Sequence, residues 1–281
     1  MDFWQLIALG AIAGFTIFLG LPIATVKNLS TNKKGFLNAL ALGILVFLII
    51  DVFGHAWQST EDTAKEAFAG HVAAGDAILS LIAMFGGIAI GLVGLVSYEA
   101  KMTGKSIPEI LSVENIRAGD DHLKQLFHEA SAYRIAMMIA IGIGAHNFSE
   151  GLAIGQSYVT GEISLAILLI IGFGAHNTTE GFGIAGPLSG LINRPRIRFL
   201  LLMGLIGGGP TFIGTIMGSM WNSNLAFILF LSIAGGALVY VSMLMYNAGR
   251  KYTTNSVMMT GIFIGLVAGF MTDMIIQFSG A

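Results

Sequence analysis

The chain contains no cysteine, only five prolines and few charged residues among its 281 residues. Without cysteine, disulfides and thiolate metal ligands are excluded, so any bound metal must be held by nitrogen and oxygen atoms. Charged residues make up 11% of the chain, far below the quarter that is typical of a soluble domain. A net charge of -2 and the lack of a basic tract argue against a nucleic-acid partner.

Apolar residues dominate the chain instead. They make up 55% of it, and the mean hydropathy is +0.80, which predicts that its surroundings are a lipid bilayer. A helix needs about 20 residues to cross a hydrocarbon core of ~30 Å. The predicted fold class is an all-α integral membrane protein with eight transmembrane helices, at residues 4–26, 36–54, 77–98, 134–158, 163–191, 199–221, 224–246 and 255–278.

Positive charges predict how these helices are oriented, because Lys and Arg accumulate in cytoplasmic loops. Thirteen of the fourteen follow the first, third, fifth or seventh segment, and Lys65 alone lies on the opposite side. We therefore expect both termini outside and a multi-pass protein of the cell membrane. Residues 1–281 form one domain, with an outer loop at 55–76 and a cytoplasmic loop at 99–133 between the third and fourth helices.

A polar motif occurs twice inside neighbouring apolar segments. The run Gly-Ala-His-Asn-Phe-Ser-Glu-Gly at residues 144–151 returns as Gly-Ala-His-Asn-Thr-Thr-Glu-Gly at residues 174–181. Ionisable groups at membrane depth cost roughly 2.5 to 3.5 kcal/mol each on insertion scales, which makes them functional candidates. In each motif the histidine and the glutamate are four residues apart, so on a helix both lie on one face.

The two motifs are expected to meet near the membrane midplane. Both histidines lie at the same distance from Gly161 in the turn between the segments, so an antiparallel hairpin brings them to equal depth. The two glutamates then lie one turn to either side. A His2Glu2 set suits Zn²⁺ and other first-row divalent ions, and asparagine oxygens can supplement it. The predicted metal ligands are His146, Asn147, Glu150, His176, Asn177 and Glu180.

The motif His-Asn-x-x-Glu-Gly, followed by a related motif on the next helix, resembles the ZIP family of zinc and iron transporters. Eight helices, outside termini and a long cytoplasmic loop extend this resemblance to nearly the whole chain. It implies inverted repeats, helices 1–3 against helices 6–8, around the hairpin of helices 4 and 5. It also implies elevator-like movement of helices 1, 4, 5 and 6, and a mononuclear or binuclear metal site. Asn177 stands where many members have an acid, and no carboxylate precedes Pro210.

Further polar residues lie outside the paired motifs. The resemblance suggests that acids near the outer ends of helices 2 and 8 collect metal at an entrance, and charge focusing is the physical reason. The entrance candidates are Asp51, His55 and Asp273, and the alternative is that they are solvated at the interface. His122 and His128 in the cytoplasmic loop are candidates for binding released metal, unless they belong to an ordinary surface helix.

The predicted function is transport of divalent transition-metal ions into the cytoplasm, with zinc first and iron, manganese or cobalt as further candidates. The metal is the transported substrate, no organic cofactor is expected, and the chain is not predicted to be an enzyme. The alternatives are an intramembrane metal-dependent hydrolase, a carrier of protons or organic molecules, and polar groups that only join helices. A glycine run at 261, 265 and 269 packs within the chain or against a second copy, so a homodimer remains open.

Overall fold

The computed structural model describes residues 2–26, 30–103, 121–159, 163–220, 223–250 and 253–278. Within these residues the chain is helical and contains no strand. The main helices are α1 (Phe3–Phe15), α2 (Thr31–Phe68), α3 (Ala74–Thr103), α4 (Asp121–Val159), α5 (Ile163–Ala185), α6 (Ile197–Gly218), α7 (Asn224–Gly249) and α8 (Asn255–Phe278). Past Thr16, α1 continues as a short helix, Ile17–Gly20, and a 3-10 turn, Leu21–Thr25.

Seven spans in the described part are long and apolar enough to cross a membrane. They comprise α1 with its continuation, and most or all of α2, α3, α4, α6, α7 and α8. The predicted all-helical membrane character is therefore confirmed. The remaining predicted span, residues 163–191, corresponds to α5. This span and the outside location of both termini stay predictions.

The second helix is longer than predicted. Most of the predicted outer loop, residues 55–76, is helical, because α2 runs to Phe68. This stretch contains Ala, Gln, Glu and Lys, which are good helix formers, and Lys65 Nζ lies 2.9 Å from Glu61 Oε1 one turn away. Gly70, with φ of 79°, follows the helix in the left-handed conformation that glycine adopts readily. His55 consequently lies inside α2.

The predicted cytoplasmic loop, residues 99–133, is shorter at both ends. α3 continues to Thr103 and α4 begins at Asp121, while residues 104–120 lie outside the described part. Glu99 is a buried residue of α3 and accepts a hydrogen bond from the Tyr240 hydroxyl of α7. A donor on the neighbouring helix is what allows a carboxyl group to be buried there.

The fifth predicted segment, residues 163–191, ends before its expected boundary. α5 stops at Ala185, and a 3-10 turn follows at Gly186–Leu188. Pro187 lies in this turn and has no N–H with which to continue the α-helix. The chain then bends at Gly190, where φ is 71°.

Glycines bring several helices together backbone to backbone. A Cβ added to Gly151 of α4 would lie 2.8 Å from Thr215 N of α6. A Cβ added to Gly181 of α5 would lie 2.9 Å from Gly20 Cα, at the end of the α1 continuation. Small residues permit such approach between membrane helices, so α4 packs against α6 while α5 packs against α1.

The glycine run of α8 packs within the chain. A Cβ on Gly261 would lie 2.6 Å from Ala39 Cβ, and one on Gly265 would lie 3.0 Å from Gly43 Cα. Ala39 and Gly43 both belong to α2. Of the two possibilities that the sequence left open, packing of α8 against α2 accounts for these glycines.

Candidate metal site

The repeated motifs lie inside α4 and α5, and their described side chains are buried. The exposed fractions are 2% for His146, 0% for Asn147, 6% for Glu150, 0% for Asn177 and 0% for Glu180. Ile143 directly precedes the first motif and Ile184 follows the second within one helical turn, and both belong to the largest buried apolar cluster. Burial of two carboxyl groups and an imidazole in apolar surroundings is costly unless partners compensate for it.

His146 is the residue at which the two glutamates meet. Its Nε2 atom lies 3.3 Å from Glu150 Oε1 on α4 and 3.9 Å from Glu180 Oε1 on α5. The sequence predicts the two glutamates one turn to either side of the histidines, whereas in the structure both side chains reach the same imidazole. Side chains four residues apart can close this distance along one helix, and the approach of α5 supplies the second carboxylate.

Both asparagines use their amide nitrogen to bind the backbone of another helix. Asn147 Nδ2 donates to Gly207 O of α6 at 3.0 Å and to Glu180 Oε2 at 2.8 Å. Asn177 Nδ2 donates to Ala13 O of α1 at 3.0 Å. The site therefore includes α1 and α6, which the sequence analysis missed because a backbone carbonyl leaves no mark on residue identity. The nearest signal is the glycine run at 207–209, where little side chain covers the backbone.

Several oxygen atoms of the motifs are buried and have no hydrogen-bond partner in the described part of the structure. They include Asn147 Oδ1, Asn177 Oδ1 and Glu150 Oε2. An unsatisfied buried acceptor costs about 1 to 3 kcal/mol, and native proteins rarely retain several together. A cation that accepts these oxygens as ligands would remove that cost.

The three entrance candidates form a charged cluster beside the buried site. The charge of Asp51 acts on His146 and on both glutamates of the motifs. His55 Nδ1 lies 3.4 Å from Asp51 Oδ1, and Asp273 of α8 acts electrostatically on His55. The side chains of His55 and Asp51 are 58% and 20% exposed, so the cluster reaches the protein surface.

Three predicted site histidines are only partly described. The backbones of His122 and His128 lie in α4 and that of His176 lies in α5, but their side chains lie outside the described part. Among the described side chains, no group of three or more His, Asp or Glu residues has a geometry that could hold a metal ion. The imidazole and carboxylates of the site contact one another instead, and metal binding stays a prediction.

Helices and site together define the class of protein. Seven described spans that can cross a membrane are those of a multi-pass membrane protein, and the polar groups of α4 lie within one of these spans. No family model matches the chain, and no curated protein matches it.

Proposed function

We propose that the chain transports divalent transition-metal ions across the cell membrane into the cytoplasm, as the ZIP family does. Zinc is the first candidate, and iron, manganese and cobalt are further ones. The observation that carries the proposal is the convergence of Glu150 and Glu180, from two helices, on His146 inside the bundle. Ionisable groups within membrane helices usually face a bundle interior and mark ion or substrate pathways.

The donor atoms favour a divalent transition metal. An imidazole nitrogen and two carboxylates meet at the site, and the amide oxygens of both asparagines are buried without a hydrogen-bond partner in the described part of the structure. The chain contains no cysteine. Mixed nitrogen and oxygen donors bind Zn²⁺ and the neighbouring first-row ions. Two carboxylates also balance the charge of one divalent ion, which lowers the cost of holding it in apolar surroundings.

The cluster of Asp51, His55 and Asp273 supports a route from the surface to this site. Its carboxylates attract cations, and a charged opening in a low-dielectric wall raises the local cation concentration. Because the charge of Asp51 acts on Glu150 as well as on His55, an ion held at the cluster already lies within electrostatic reach of the buried ligands.

Paired contacts around the motifs support the inverted repeats. A Cβ on Gly151 would lie 2.9 Å from Gly214 Cα of α6, and a Cβ on Gly181 would lie 2.9 Å from Gly20 Cα. Gly151 and Gly181 occupy the same place in the two motifs. The Asn147–Gly207 and Asn177–Ala13 hydrogen bonds form a second such pair. Gly207 and Ala13 are separated in sequence by the same number of residues as Gly214 and Gly20.

The outer helices supply a further equivalent pair of contacts. A Cβ on Gly265 of α8 would lie 3.0 Å from Ile44 N of α2, and a Cβ on Gly91 of α3 would lie 2.9 Å from Ala237 N of α7. When helices 1–3 are matched to helices 6–8, α2 corresponds to α7 and α3 corresponds to α8. The contact between α2 and α8 then corresponds to the contact between α7 and α3. This correspondence is what an inverted repeat requires.

Side-chain contact between α4 and α7, which belong to different helix groups in the proposed movement, supports elevator-like movement. Where α4 meets α7, a Cβ on Gly142 would lie 3.5 Å from Leu238 Cδ2 and 3.7 Å from Ala237 Cβ, which is ordinary van der Waals contact. The pairs α4–α6 and α1–α5 are instead interlocked at their glycines. Sliding of packed helices is easier where side chains touch than where backbones interlock.

Metal uptake into proteoliposomes tests the proposal. Zn²⁺ uptake is measured for the wild type, Glu150→Ala, His176→Ala and the control Glu66→Ala, which changes an exposed carboxylate of α2. We expect uptake by the wild type and the control, and a loss of about tenfold or more for both site variants. All four proteins are first compared by size-exclusion chromatography to establish that they fold.

Other outcomes of this assay point to other functions. Equal metal uptake by the wild type and both site variants would contradict the proposal. Absence of metal uptake together with proton flux that depends on Glu150 would indicate a proton carrier. Zinc-dependent cleavage of a membrane peptide without uptake would indicate a hydrolase.

A further inference from the structure

Backbone carbonyls of α1 and α6 determine how the two asparagines are oriented. Asn147 Nδ2 donates to Gly207 O and Glu180 Oε2, and Asn177 Nδ2 donates to Ala13 O. A carbonyl oxygen can only accept, so rotating either amide by half a turn would place oxygen against oxygen. The amide nitrogens are thereby directed towards the backbone, and the two Oδ1 atoms are left for another partner.

The anchoring carbonyls are themselves held in place by close helix packing. Ala13 and Gly207 immediately precede Gly14 and Gly208, at which α1 and α6 touch backbone to backbone. A Cβ on Gly207 would lie 2.7 Å from Ile17 Cδ1, so Gly207 packs closely against the continuation of α1. The two anchors therefore have little freedom to follow a changed side chain.

The oxygens that remain belong to residues on the same helix faces as the carboxylates. Each asparagine precedes its glutamate by three residues, so both lie on one face of their helix. Asn147 Oδ1 and Asn177 Oδ1 are buried without a hydrogen-bond partner in the described ranges, and so is Glu150 Oε2. These unpartnered buried oxygens are the second observation, besides the anchoring bonds, that points to a cation at this place.

The anchor at Ala13 also limits the charge of the site. Residue 177 must donate an N–H to this carbonyl, and an ionised carboxylate cannot donate. The two motifs therefore supply two negative charges, from Glu150 and Glu180, which one divalent ion neutralises. A second divalent ion would leave a net positive charge buried in apolar surroundings, which is strongly unfavourable. The nearby acid Asp51 is paired with His55, since Asp51 Oδ1 lies 3.4 Å from His55 Nδ1.

We infer that Ala13 and Gly207 act as positioning residues whose carbonyls turn both asparagine oxygens to the ion, require an amide at position 177, and restrict the site to one divalent ion per chain. This inference rests on the proposed function in that the ion is the transported substrate. It goes further by assigning the stoichiometry and the part that α1 and α6 take in it.

Metal binding by the purified full-length chain in detergent tests this without a flux assay. Bound Zn²⁺ is counted by equilibrium dialysis and elemental analysis for the wild type, Asn177→Asp and Asn177→Ala. Asn38 provides the matched control, because its Nδ2 donates to Met245 O at 3.2 Å outside the site. Asn38→Asp and Asn38→Ala thus report the effect of losing one amide anchor elsewhere.

We expect one ion per wild-type chain and binding weakened about 10- to 100-fold by Asn177→Ala, while Asn38→Ala binds as the wild type does. Asn177→Asp is expected to unfold at a lower temperature than the wild type without metal, as Asn38→Asp does, and to bind no second ion. A second ion per chain that persists when the entrance cluster is weakened by Asp51→Asn would overturn the inference while leaving transport intact. So would an Asn177→Asp protein that unfolds at the wild-type temperature or binds one ion more than the wild type does. A wild-type chain that binds no divalent ion overturns both this inference and the proposed function.

Discussion

Gly14 of α1 and Gly208 of α6 meet backbone to backbone, and a methyl group on either one would collide with the carbonyl oxygen of the other. This contact lies one residue from the carbonyls that bind the two asparagines. The separation of α1 and α6 therefore affects the site directly, in addition to the stability of the fold.

Alanine substitution at two neighbouring glycines of α6 is expected to distinguish the loss of close helix packing from the gain in helix propensity. Gly208→Ala forces α1 and α6 apart, at a cost of about 1 to 3 kcal/mol for overpacking. Gly209→Ala is the matched control, because a Cβ at Gly209 has no neighbour within 4 Å and alanine favours the helix by about 1 kcal/mol. Thermal unfolding in detergent should therefore show a lower midpoint for the first variant only. Equal midpoints would contradict the close contact.

The charge of Glu180 is expected to matter more than its shape. Glu180→Gln retains an oxygen that can accept from Asn147 Nδ2, whose bond is 2.8 Å long, but it removes one of the two negative charges. We expect Zn²⁺ affinity to fall about 10- to 100-fold with little change in thermal stability. Glu61→Gln, which alters an exposed carboxylate paired with Lys65, serves as the control. Unchanged affinity in Glu180→Gln would show that this carboxylate is not a ligand.

Asp51 is expected to act as an attractor of cations. In Asp51→Asn the initial uptake rate should fall several-fold when the ion is well below half-saturation, because one negative charge at the cluster is lost. Raising the ionic strength should shrink the difference, since screening weakens exposed charges. Asp62→Asn, at an exposed position of α2, provides the comparison. A rate difference that does not depend on salt would argue against electrostatic attraction.

Acidification is expected to weaken uptake. Protons compete with the metal, because a ligating histidine must be neutral and the carboxylates must be deprotonated. The half-saturating ion concentration should therefore rise as the pH is lowered from about 7.5 to about 5.5 on both sides of the vesicle membrane. Faster uptake in acid at unchanged affinity, without a pH gradient, is the result that would count against competition at this site.

A reversible cross-link tests whether α4 moves against α7. The distance from a Cβ at Gly142 to Ala237 Cβ is 3.7 Å, within the range of about 3.5 to 4.5 Å that a disulfide needs. The native chain has no cysteine, so Gly142→Cys with Ala237→Cys forms the only possible bridge within the chain. Oxidation should abolish uptake, and a reductant should restore it. The two single variants under the same oxidant are the controls, and full uptake by the bridged protein would exclude movement at this boundary.

The membrane character was predictable because it depends on local composition. Each of the seven confirmed spans shows its length and hydropathy within one stretch of sequence. The shared face of Asn147 and Glu150 was equally accessible, since it follows from the 3.6-residue helix period. In contrast, the extension of α2 to Phe68 was missed, because a charged helical surface has the same composition as a polar loop.

The parts of the site that could not be predicted involve groups without a sequence signature. The carbonyls of Ala13 and Gly207 are chemically the same as those of every other residue, and only their position makes them acceptors for Asn177 and Asn147. Outside the site, the hydrogen bond from Tyr240 of α7 to Glu99 of α3 could not be predicted either. The two residues are far apart in sequence, and neither belongs to a recognisable motif.

The sequence by itself determined that this chain forms apolar helices and that two of them present histidine, asparagine and glutamate at equivalent positions. Hydropathy and helical periodicity are properties of neighbouring residues, so they can be evaluated without knowing the fold. Only the tertiary structure decided that Glu150 and Glu180 meet at His146 and that α1 and α6 complete the site. These contacts depend on how closely separate helices approach, which is set by glycines distant from each other in the chain.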